Sequence, residues 1–220
     1  MKITISQENY LKAIAEAESE GEIVIAATLA RWLDVSPPAV TMAVRRLKRD
    51  GFIHLEAEGR IALTPTGREI ASRLIHRHHL IERMLTEIFG MEWYKVHDEA
   101  EQMEHAVSAD FERMLIEKLG DSGDCPHGNR LGMDTPDLRR KRGLAPLDEI
   151  ATGCPSHVVS VFERDRKLLE YLNGLGIRPG AGIEVLSCNY DDTFTMAVEG
   201  KHVPLGRAAA AKVWVQPVAR

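Results

Sequence analysis

The sequence predicts an α+β protein made of three successive parts. Three observations lead to this prediction: two short helices followed by a hairpin near the N-terminus, two long amphipathic segments in the middle, and five short strand-like runs near the C-terminus. A chain of 220 residues is long enough for about two or three small domains. We place the three parts at residues 1–64, 65–155 and 156–220.

The composition is that of an ordinary globular protein, with 44% hydrophobic and 28% charged residues. No apolar run approaches the roughly 18 to 20 residues that span a bilayer, so we expect no membrane helix. The three cysteines do not form a disulfide framework, and a cytoplasmic protein with reduced thiols is expected. The net charge of −5 argues against indiscriminate binding of polyanions but leaves room for a local basic patch.

Residues 25–51 have the pattern of a helix-turn-helix, in which two short helices are joined by a tight turn. Ser36 is a suitable N-cap for the second helix, because its hydroxyl can accept a backbone N–H. Pro37 suits the first helical position, and Gly51 suits the end of the helix. The apolar stripe of this helix consists of Val40, Val44 and Leu47.

A predicted hairpin follows, with strands near residues 52–56 and 61–63, and makes this part a winged helix. Residues 41–50 contain four basic side chains and one acidic side chain, a local net charge of +3. Positive charge on the second helix of such a motif favours DNA binding, because that helix lies beside phosphates. The alternative is a solvated helix face in a winged helix that binds another protein.

A helix predicted from residue 64 to about residue 89 has His78 and Glu82 at the edge of its apolar face. The apolar face consists of Ile70, Leu74, Ile81, Leu85 and Ile88. His76 and His79 are expected to point elsewhere and to lie at the surface. The run of histidines at 76–79 is therefore not predicted to form a metal site by itself.

A second long helix is predicted over about residues 94–119, with an apolar stripe and a polar edge. The stripe consists of Met103, Val107, Phe111 and Met114. The edge consists of His97, Glu101, Glu104, His105 and Ser108, within about 80° of one another on an ideal helix. A divalent cation would cancel the carboxylate charge and use the imidazole lone pairs, and oxygen-rich ligands with imidazole suit Mn²⁺ or Fe²⁺. The alternative is a polar flank that forms salt bridges with Arg83 or Lys95.

The C-terminal part is predicted to be a small β-barrel. Its strands are expected at residues 158–162, 183–186, 193–198, 202–205 and 212–215, with a short helix at 167–172. Glu199-Gly200-Lys201 is a hairpin turn. The preceding residues, 120–155, are rich in glycine and proline and are expected to be mostly irregular.

With these parts in order, the sequence resembles the diphtheria toxin repressor family of metal-dependent transcriptional regulators. The resemblance covers nearly the whole chain, and three stretches carry it: RHHLIER at 77–83, KVHDEAEQMEH at 95–105 and CPHGN at 125–129. It implies that the winged helix binds DNA, that the two long helices form a homodimer, and that the C-terminal domain is SH3-like.

The resemblance also implies two metal sites. Glu101, Glu104 and His105 match the primary site, and Glu101 replaces the cysteine of the iron-responsive branch, as in the manganese-responsive branch. The ligand that the family adds from the first helix is here Asn9, which brings no charge, and a further acidic position is Lys12, so a manganese pair is not expected. The ancillary site comprises His78, Glu82 and His97, with Cys125, His127 and either Glu163 or Asp165 as additional ligands.

The function implied is that of a repressor activated by Mn²⁺, or alternatively Fe²⁺, which controls metal homeostasis genes from an inverted repeat in double-stranded DNA. Ser36, Pro38 and Thr41 would contact the groove, and Arg45, Arg46 and Arg49 the phosphates. One alternative is a winged-helix regulator that answers an organic ligand or an oxidant. Another is a carboxylate-bridged metalloenzyme, although a second helix with Glu-x-x-His is missing. We expect no enzymatic activity.

Overall fold

The N-terminal part is a winged helix-turn-helix, as predicted. In this computed structural model, which describes residues 3–121, 123–130 and 134–218, three helices precede a two-stranded antiparallel hairpin. The elements are α1 (Ile5–Ser19), α2 (Ala26–Leu33), α3 (Pro37–Arg49), β1 (Ile53–Leu55) and β2 (Ile61–Leu63). Asp34 makes the turn between α2 and α3 with a left-handed backbone (φ 50°), a conformation that aspartate tolerates better than most residues.

Helix α3 is anchored by its apolar stripe and leaves its other face exposed. Val40 and Leu47 are completely buried, and Val44 packs against the same core. Ser36 stands at the N-cap position, but the prediction that its hydroxyl caps the helix is wrong. Pro38 stands at the second helical position and has no N–H, so one of the two backbone groups that a capping side chain usually accepts is missing.

Helix α4 (Pro65–Arg83) continues into a π-helical turn (Met84–Ile88), which confirms a long helix over the predicted range. It packs against α1 on one side, and on the other against the two helices that follow it. Leu74, Ile81 and Leu85 of its predicted apolar face are buried, whereas Ile88 is 40% exposed. Helix α4 is therefore the element that joins the DNA-binding part to the middle of the molecule.

The prediction of one helix over residues 94–119 is wrong, because the chain breaks into α5 (Val96–Met103) and α6 (Ala109–Leu119). Ser108 is the N-cap of α6, and its hydroxyl accepts the backbone N–H of Phe111 at 3.2 Å. Serine followed by acidic residues is a helix-start signal, and helical periodicity alone does not reveal it. Ser108 consequently does not share a helix face with His97.

The C-terminal part is a six-stranded antiparallel sheet. Its strands are β3 (Ala145–Pro146), β4 (Pro155–Val161), β5 (Gly182–Cys188), β6 (Thr193–Val198), β7 (Lys201–Gly206) and β8 (Val213–Pro217). Their order in the sheet is β3-β8-β4-β5-β6-β7. Glu199 and Gly200 both have positive φ and join β6 to β7 in a two-residue turn. The sheet packs around Met196 and Val215, and α8 (Arg166–Gly174) lies against it.

The segment 120–155 is less irregular than expected, since it contains the short helix α7 (Pro136–Lys141) as well as β3. A last short helix, α9 (Arg207–Ala210), precedes β8. Over the part of the chain that the structure describes, no helix combines the length and the apolar character needed to cross a bilayer.

Candidate metal centre

Histidine, glutamate and cysteine side chains converge where α4, α5, the loop at 123–130 and the segment after β4 meet. We call this set the buried cluster; its members are His78, His79, Glu82, His97, Cys125, His127 and Glu163. Two groups of four have ligand atoms within 4.8 Å of one another: His78, Glu82, His97 and Glu163, and His79, Glu82, Cys125 and Glu163. Glu82 and Glu163 belong to both groups, so the two carboxylates organise the cluster.

One carboxylate oxygen of Glu82 is surrounded by imidazoles. Its Oε1 lies 3.0 Å from His78 Nε2, 3.2 Å from His97 Nδ1 and 3.4 Å from His127 Nδ1. The spacing of four residues places His78 and Glu82 on the same face of α4. Helix α5 brings His97 against that face, and its Nδ1 lies 3.0 Å from His78 Nε2.

Glu163 closes the cluster from the C-terminal domain. Its Oε1 lies 3.7 Å from His79 Nε2, and its Oε2 lies 3.5 Å from His127 Nδ1 and 3.4 Å from Cys125 Sγ. The side-chain amide of Asn129 donates to the same Oε2 at 2.6 Å. Of the two acidic residues proposed from the sequence, Glu163 enters the cluster, whereas Asp165 caps α8 by accepting the backbone N–H of Leu168.

His79 corrects the sequence prediction, which placed it on the surface. It is only 3% exposed and belongs to the buried cluster. The helical wheel of α4 correctly separates His79 from the apolar face, but it carries no information about Glu163, which lies far along the chain and covers this side. His76 is partly exposed and lies 3.0 Å from Asp121. Lys95 pairs with Glu92, and Arg83 pairs with Glu87.

Burial and neighbouring charges shift the pKa values of several groups in the cluster. Burial would lower the pKa of His97, but hydrogen bonds to Glu101 and Glu82 outweigh this effect and raise it to about 10. Burial would likewise raise the pKa of Glu82, yet His127 and His78 hold it well below its usual range. Burial and two carboxylates, Glu163 and Glu82, raise the pKa of the Cys125 thiol well above its usual value.

The donor atoms of the cluster fit a divalent transition-metal ion. Within the cluster, three buried atoms have no hydrogen-bond partner among the described residues: Glu82 Oε2, His127 Nε2 and His79 Nδ1. An unsatisfied buried carboxylate oxygen is costly, and metal coordination is one of the ways in which proteins satisfy it. A mixture of carboxylates and imidazoles suits ions such as Mn²⁺ and Fe²⁺.

The residues predicted to form the primary site line a neighbouring cavity of about 340 Å³; they are Asn9, Glu101, Glu104 and His105. Glu104 Oε2 lies 2.6 Å from His78 Nδ1, so this cavity adjoins the buried cluster. Lys12 Nζ lies 2.7 Å from the same oxygen. His105 Nδ1 lies 2.8 Å from Glu8 Oε2. A metal site at these residues stays a prediction, since the groups with converging ligand atoms in the described part of the chain do not include them.

Arg164, which the sequence did not single out, connects this cavity to the DNA-binding part. Its guanidinium donates to Glu16 Oε2 at 2.6 Å, to Glu101 Oε1 at 3.3 Å and to the backbone carbonyl of Trp32 at 3.2 Å. Glu16 is on α1, and Trp32 is near the end of α2. Because Arg164 follows Glu163 directly, one short segment contacts both the buried cluster and the helices that carry α3.

The exposed face of α3 carries the residues predicted to contact DNA: Ser36, Pro38, Thr41, Arg45, Arg46 and Arg49. All six are exposed. The hydroxyl of Thr41 donates to the carbonyl of Pro37 at 3.0 Å, and Arg49 Nε donates to Asp50 Oδ1 at 2.9 Å. Their positions agree with the predicted surface, and their roles stay predictions.

Three family models match successive parts of the chain. Residues 2–60 match the N-terminal DNA-binding domain of iron-dependent repressors, residues 64–131 match the metal-binding and dimerisation domain of the same proteins, and residues 145–217 match the FeoA domain. The matches follow the order of the winged helix, the central helices and the antiparallel sheet.

The chain is 33% identical over 207 residues to the diphtheria toxin repressor of Corynebacterium diphtheriae, an alignment that covers 90% of this chain and 91% of the relative. It is 33% identical over 189 residues to the iron-dependent repressor IdeR of Mycobacterium tuberculosis, covering 81% and 82%. The solved structure of a manganese-dependent transcriptional repressor in complex with manganese is similar, with a TM-score of 0.85, 30% identity and coverage of 96% and 100%. The chain therefore belongs to the diphtheria toxin repressor family of metal-dependent transcriptional repressors.

Proposed function

We propose that this repressor binds an inverted-repeat operator of metal homeostasis genes as a homodimer when Mn²⁺, or alternatively Fe²⁺, is bound at the buried cluster. The observation that carries the proposal is the convergence of Glu82, Glu163 and three imidazoles from separate elements, with one buried carboxylate oxygen unsatisfied. A divalent ion held there would supply the positive charge that the two carboxylates require. The site is a regulatory switch and not a catalytic centre.

The donor set supports manganese as the first choice. Carboxylate and imidazole donors suit Mn²⁺ and Fe²⁺, whereas a thiolate favours softer ions. The thiol of Cys125 is buried beside two carboxylates, which raises its pKa and disfavours the thiolate. The structural relative described above contains manganese, and the relative from Mycobacterium tuberculosis is an iron-dependent repressor, so both ions enter the test.

Exposed apolar side chains support a dimer through the central helices. Phe111 and Met114 of α6 are 38% and 60% exposed. Phe89, which directly follows the π-helical turn after α4, is 71% exposed. Large apolar side chains are seldom left in water in such numbers unless they form an interface. The match of residues 64–131 to a dimerisation domain agrees with this surface.

Metal binding would reach the DNA-binding helices through the segment that contains Glu163. Its neighbour Arg164 binds Glu16 of α1 and the Trp32 carbonyl. A change in the position of Glu163 is therefore transmitted to α1 and α2, and hence to the angle at which α3 meets DNA. A coupling free energy of about 1–3 kcal/mol changes DNA affinity some 5- to 150-fold.

The test is selection of random or genomic DNA fragments by the purified protein with Mn²⁺, with Fe²⁺ under anaerobic conditions, and with a chelator. We expect an inverted repeat to be enriched only with metal, and the more effective ion identifies the activator. The same repeat enriched with chelator would contradict metal activation and favour a regulator that answers another ligand. No enriched sequence under any condition would contradict DNA recognition and leave the metalloenzyme alternative.

A matched pair of variants separates the cluster from general effects on α4. Glu82→Gln removes the charge of the organising carboxylate and should abolish the effect of metal on DNA binding. Glu69→Gln makes the same change on the same helix at an exposed residue that pairs only locally, with Arg73 at 2.6 Å, and should behave like the wild type. Full activation of Glu82→Gln by metal would rule out the buried cluster as the site.

A further inference from the structure

A lysine ammonium lies among the carboxylates that the family resemblance assigns to the primary metal site. Lys12 is on α1, one helical turn after Asn9, and is only 3% exposed. Its Nζ lies 2.7 Å from Glu104 Oε2, and 3.9 Å from both Glu101 Oε1 and Glu16 Oε1. A buried lysine in contact with three carboxylates is a fixed internal cation.

The charges around this lysine leave little attraction for a second, divalent cation. Three carboxylates, those of Glu16, Glu101 and Glu104, face two basic side chains, because Arg164 also pairs with Glu16 at 2.6 Å and with Glu101 at 3.3 Å. The five groups together carry one net negative charge. An ammonium has only hydrogen-bond donors, so Lys12 cannot serve as a ligand while it pairs with Glu104.

The buried cluster differs in this respect. The described ion pairs of Glu82 with His78, His97 and His127 all involve imidazoles. An imidazole can release its proton and offer a lone pair to a metal, whereas a lysine ammonium occupies the carboxylate with a charge of its own. The two neighbouring sites therefore differ. The buried cluster can exchange protons for a metal ion, whereas the site at Glu101 and Glu104 already contains a cation, the Lys12 ammonium.

We propose that Lys12 is the resident cation of the site formed by Glu101 and Glu104, so that this repressor takes up metal at the buried cluster alone. The inference rests on the proposed function, since it specifies which of the two predicted sites receives the activating ion. Lys12 holds α1 against α5 whether or not metal is present. The regulatory signal is thereby confined to the cluster and to the Glu163–Arg164 segment.

The test is the stoichiometry of Mn²⁺ on the full-length protein, measured by calorimetric titration and by elemental analysis after dialysis. We expect the wild type to bind a single ion per chain. Lys12→Glu and Lys12→Gln should each gain a second ion, because the carboxylates lose their internal cation. Lys201→Glu, which makes the same charge change as Lys12→Glu at an exposed position on β7, should keep a single ion.

Thermal melting with chelator and with Mn²⁺ keeps the test decisive if a variant folds poorly. Lys12→Gln removes the ammonium that lies 2.7 Å from the buried Glu104 carboxylate, so it should melt at a lower temperature than the wild type in chelator, with a larger upward shift on adding Mn²⁺. A second ion bound by the wild type and lost in Glu101→Gln would overturn the proposal. So would folded Lys12→Glu that binds no additional ion.

DNA binding is scored separately on the same samples, so that the two proposals can fail independently. A wild type that binds a single ion but recognises DNA equally well with chelator contradicts the proposed function and leaves the role of Lys12 supported. A wild type that binds no Mn²⁺, together with a Lys12→Glu variant that binds one ion, contradicts metal uptake at the buried cluster, and with it the proposed function, but still supports exclusion of metal by Lys12.

Discussion

His97 is a side chain that contacts both neighbouring sites. Its Nδ1 faces Glu82 at 3.2 Å, and its Nε2 faces Glu101 at 3.6 Å. Both ring nitrogens are thus directed at carboxylates, an arrangement that favours the doubly protonated imidazolium. The pKa of His97 is raised to about 10, since these hydrogen bonds outweigh the opposing effect of burial. Without metal, His97 is therefore protonated, whereas a metal ion would need its imidazole as a neutral ligand.

Metal binding is consequently predicted to release protons near neutral pH. Below a pKa of about 10 His97 is protonated, so its proton must leave before the imidazole can coordinate. Raising the pH from about 6.5 to 8.5 should increase the apparent affinity for Mn²⁺, by up to about tenfold per pH unit for each proton displaced. Calorimetry in buffers of different ionisation enthalpy measures the released protons directly. A binding enthalpy that is the same in every buffer would contradict this prediction.

At the scale of single elements, the break between α5 and α6 comes with two exposed apolar side chains on α6. Helix α6 begins anew at Ser108, and Leu115 is the one residue of this helix that is buried. Phe111 and Met114, which would have continued the buried stripe of one long helix, lie exposed. The break therefore turns core positions into a surface available to a second copy of the chain.

Met114→Glu is predicted to shift the dimer towards monomers. A carboxylate at a position that is 60% exposed in the single chain costs little there, but it would be buried without a partner in a dimer. Analytical ultracentrifugation over a range of concentrations should show weaker association by a factor of at least about ten, corresponding to about 1.4 kcal/mol. Lys118→Glu on the same helix is the control. Unchanged association of Met114→Glu would place the dimer interface elsewhere.

Arg45→Ala on α3 is predicted to weaken DNA binding across sequences. Arg45 is exposed on the face opposite Val40 and Leu47, where a phosphate contact is sterically accessible. Loss of a phosphate contact should reduce the slope of log affinity against log salt by about one, without changing the preferred sequence. Salt titrations of wild type, Arg45→Ala and the control Arg113→Ala on α6 measure this slope. A loss restricted to one base position would instead indicate a direct contact with that base.

Most of the elements that were predicted correctly have a local signal in the sequence, although the local start signal at Ser108 was missed. The prolines and the apolar stripe of α3, the wing and the strands of the C-terminal sheet each depend on residues close together in the chain. The same is true of His78 and Glu82, which share a helix face. The burial of His79 and the choice of Glu163 over Asp165 depend on contacts between distant segments, which periodicity cannot encode. The contact of Lys12 with Glu104, 92 positions apart, belongs to the same class.

At the scale of the whole molecule, residues 163–166 join all three parts. Glu163 enters the buried cluster, Arg164 binds α1 and the end of α2, and Arg166 Nη1 lies 3.2 Å from Asp98 Oδ2 on α5. The C-terminal domain thus does more than cover the buried cluster, because its first residues after β4 contact the cluster and the DNA-binding part at the same time. A ligand that repositions Glu163 must act on both.

Arg164→Gln is therefore predicted to separate metal binding from DNA binding. The variant keeps every residue of the buried cluster, so its affinity for Mn²⁺ should stay within about threefold of the wild type. The ratio of the DNA affinity with Mn²⁺ to that with chelator should fall towards one, from a wild-type value of about 5 to 150. Linkage requires the reciprocal effect, so operator DNA should tighten Mn²⁺ binding in the wild type but not in the variant. Arg178→Gln, an exposed arginine beyond α8 whose nearest acidic partner is Glu199 at 3.9 Å, is the control and should retain the full ratio.

Full metal activation in Arg164→Gln would show that the signal reaches α3 by another route, and loss of Mn²⁺ binding itself would show that Arg164 supports the cluster instead of coupling it to DNA.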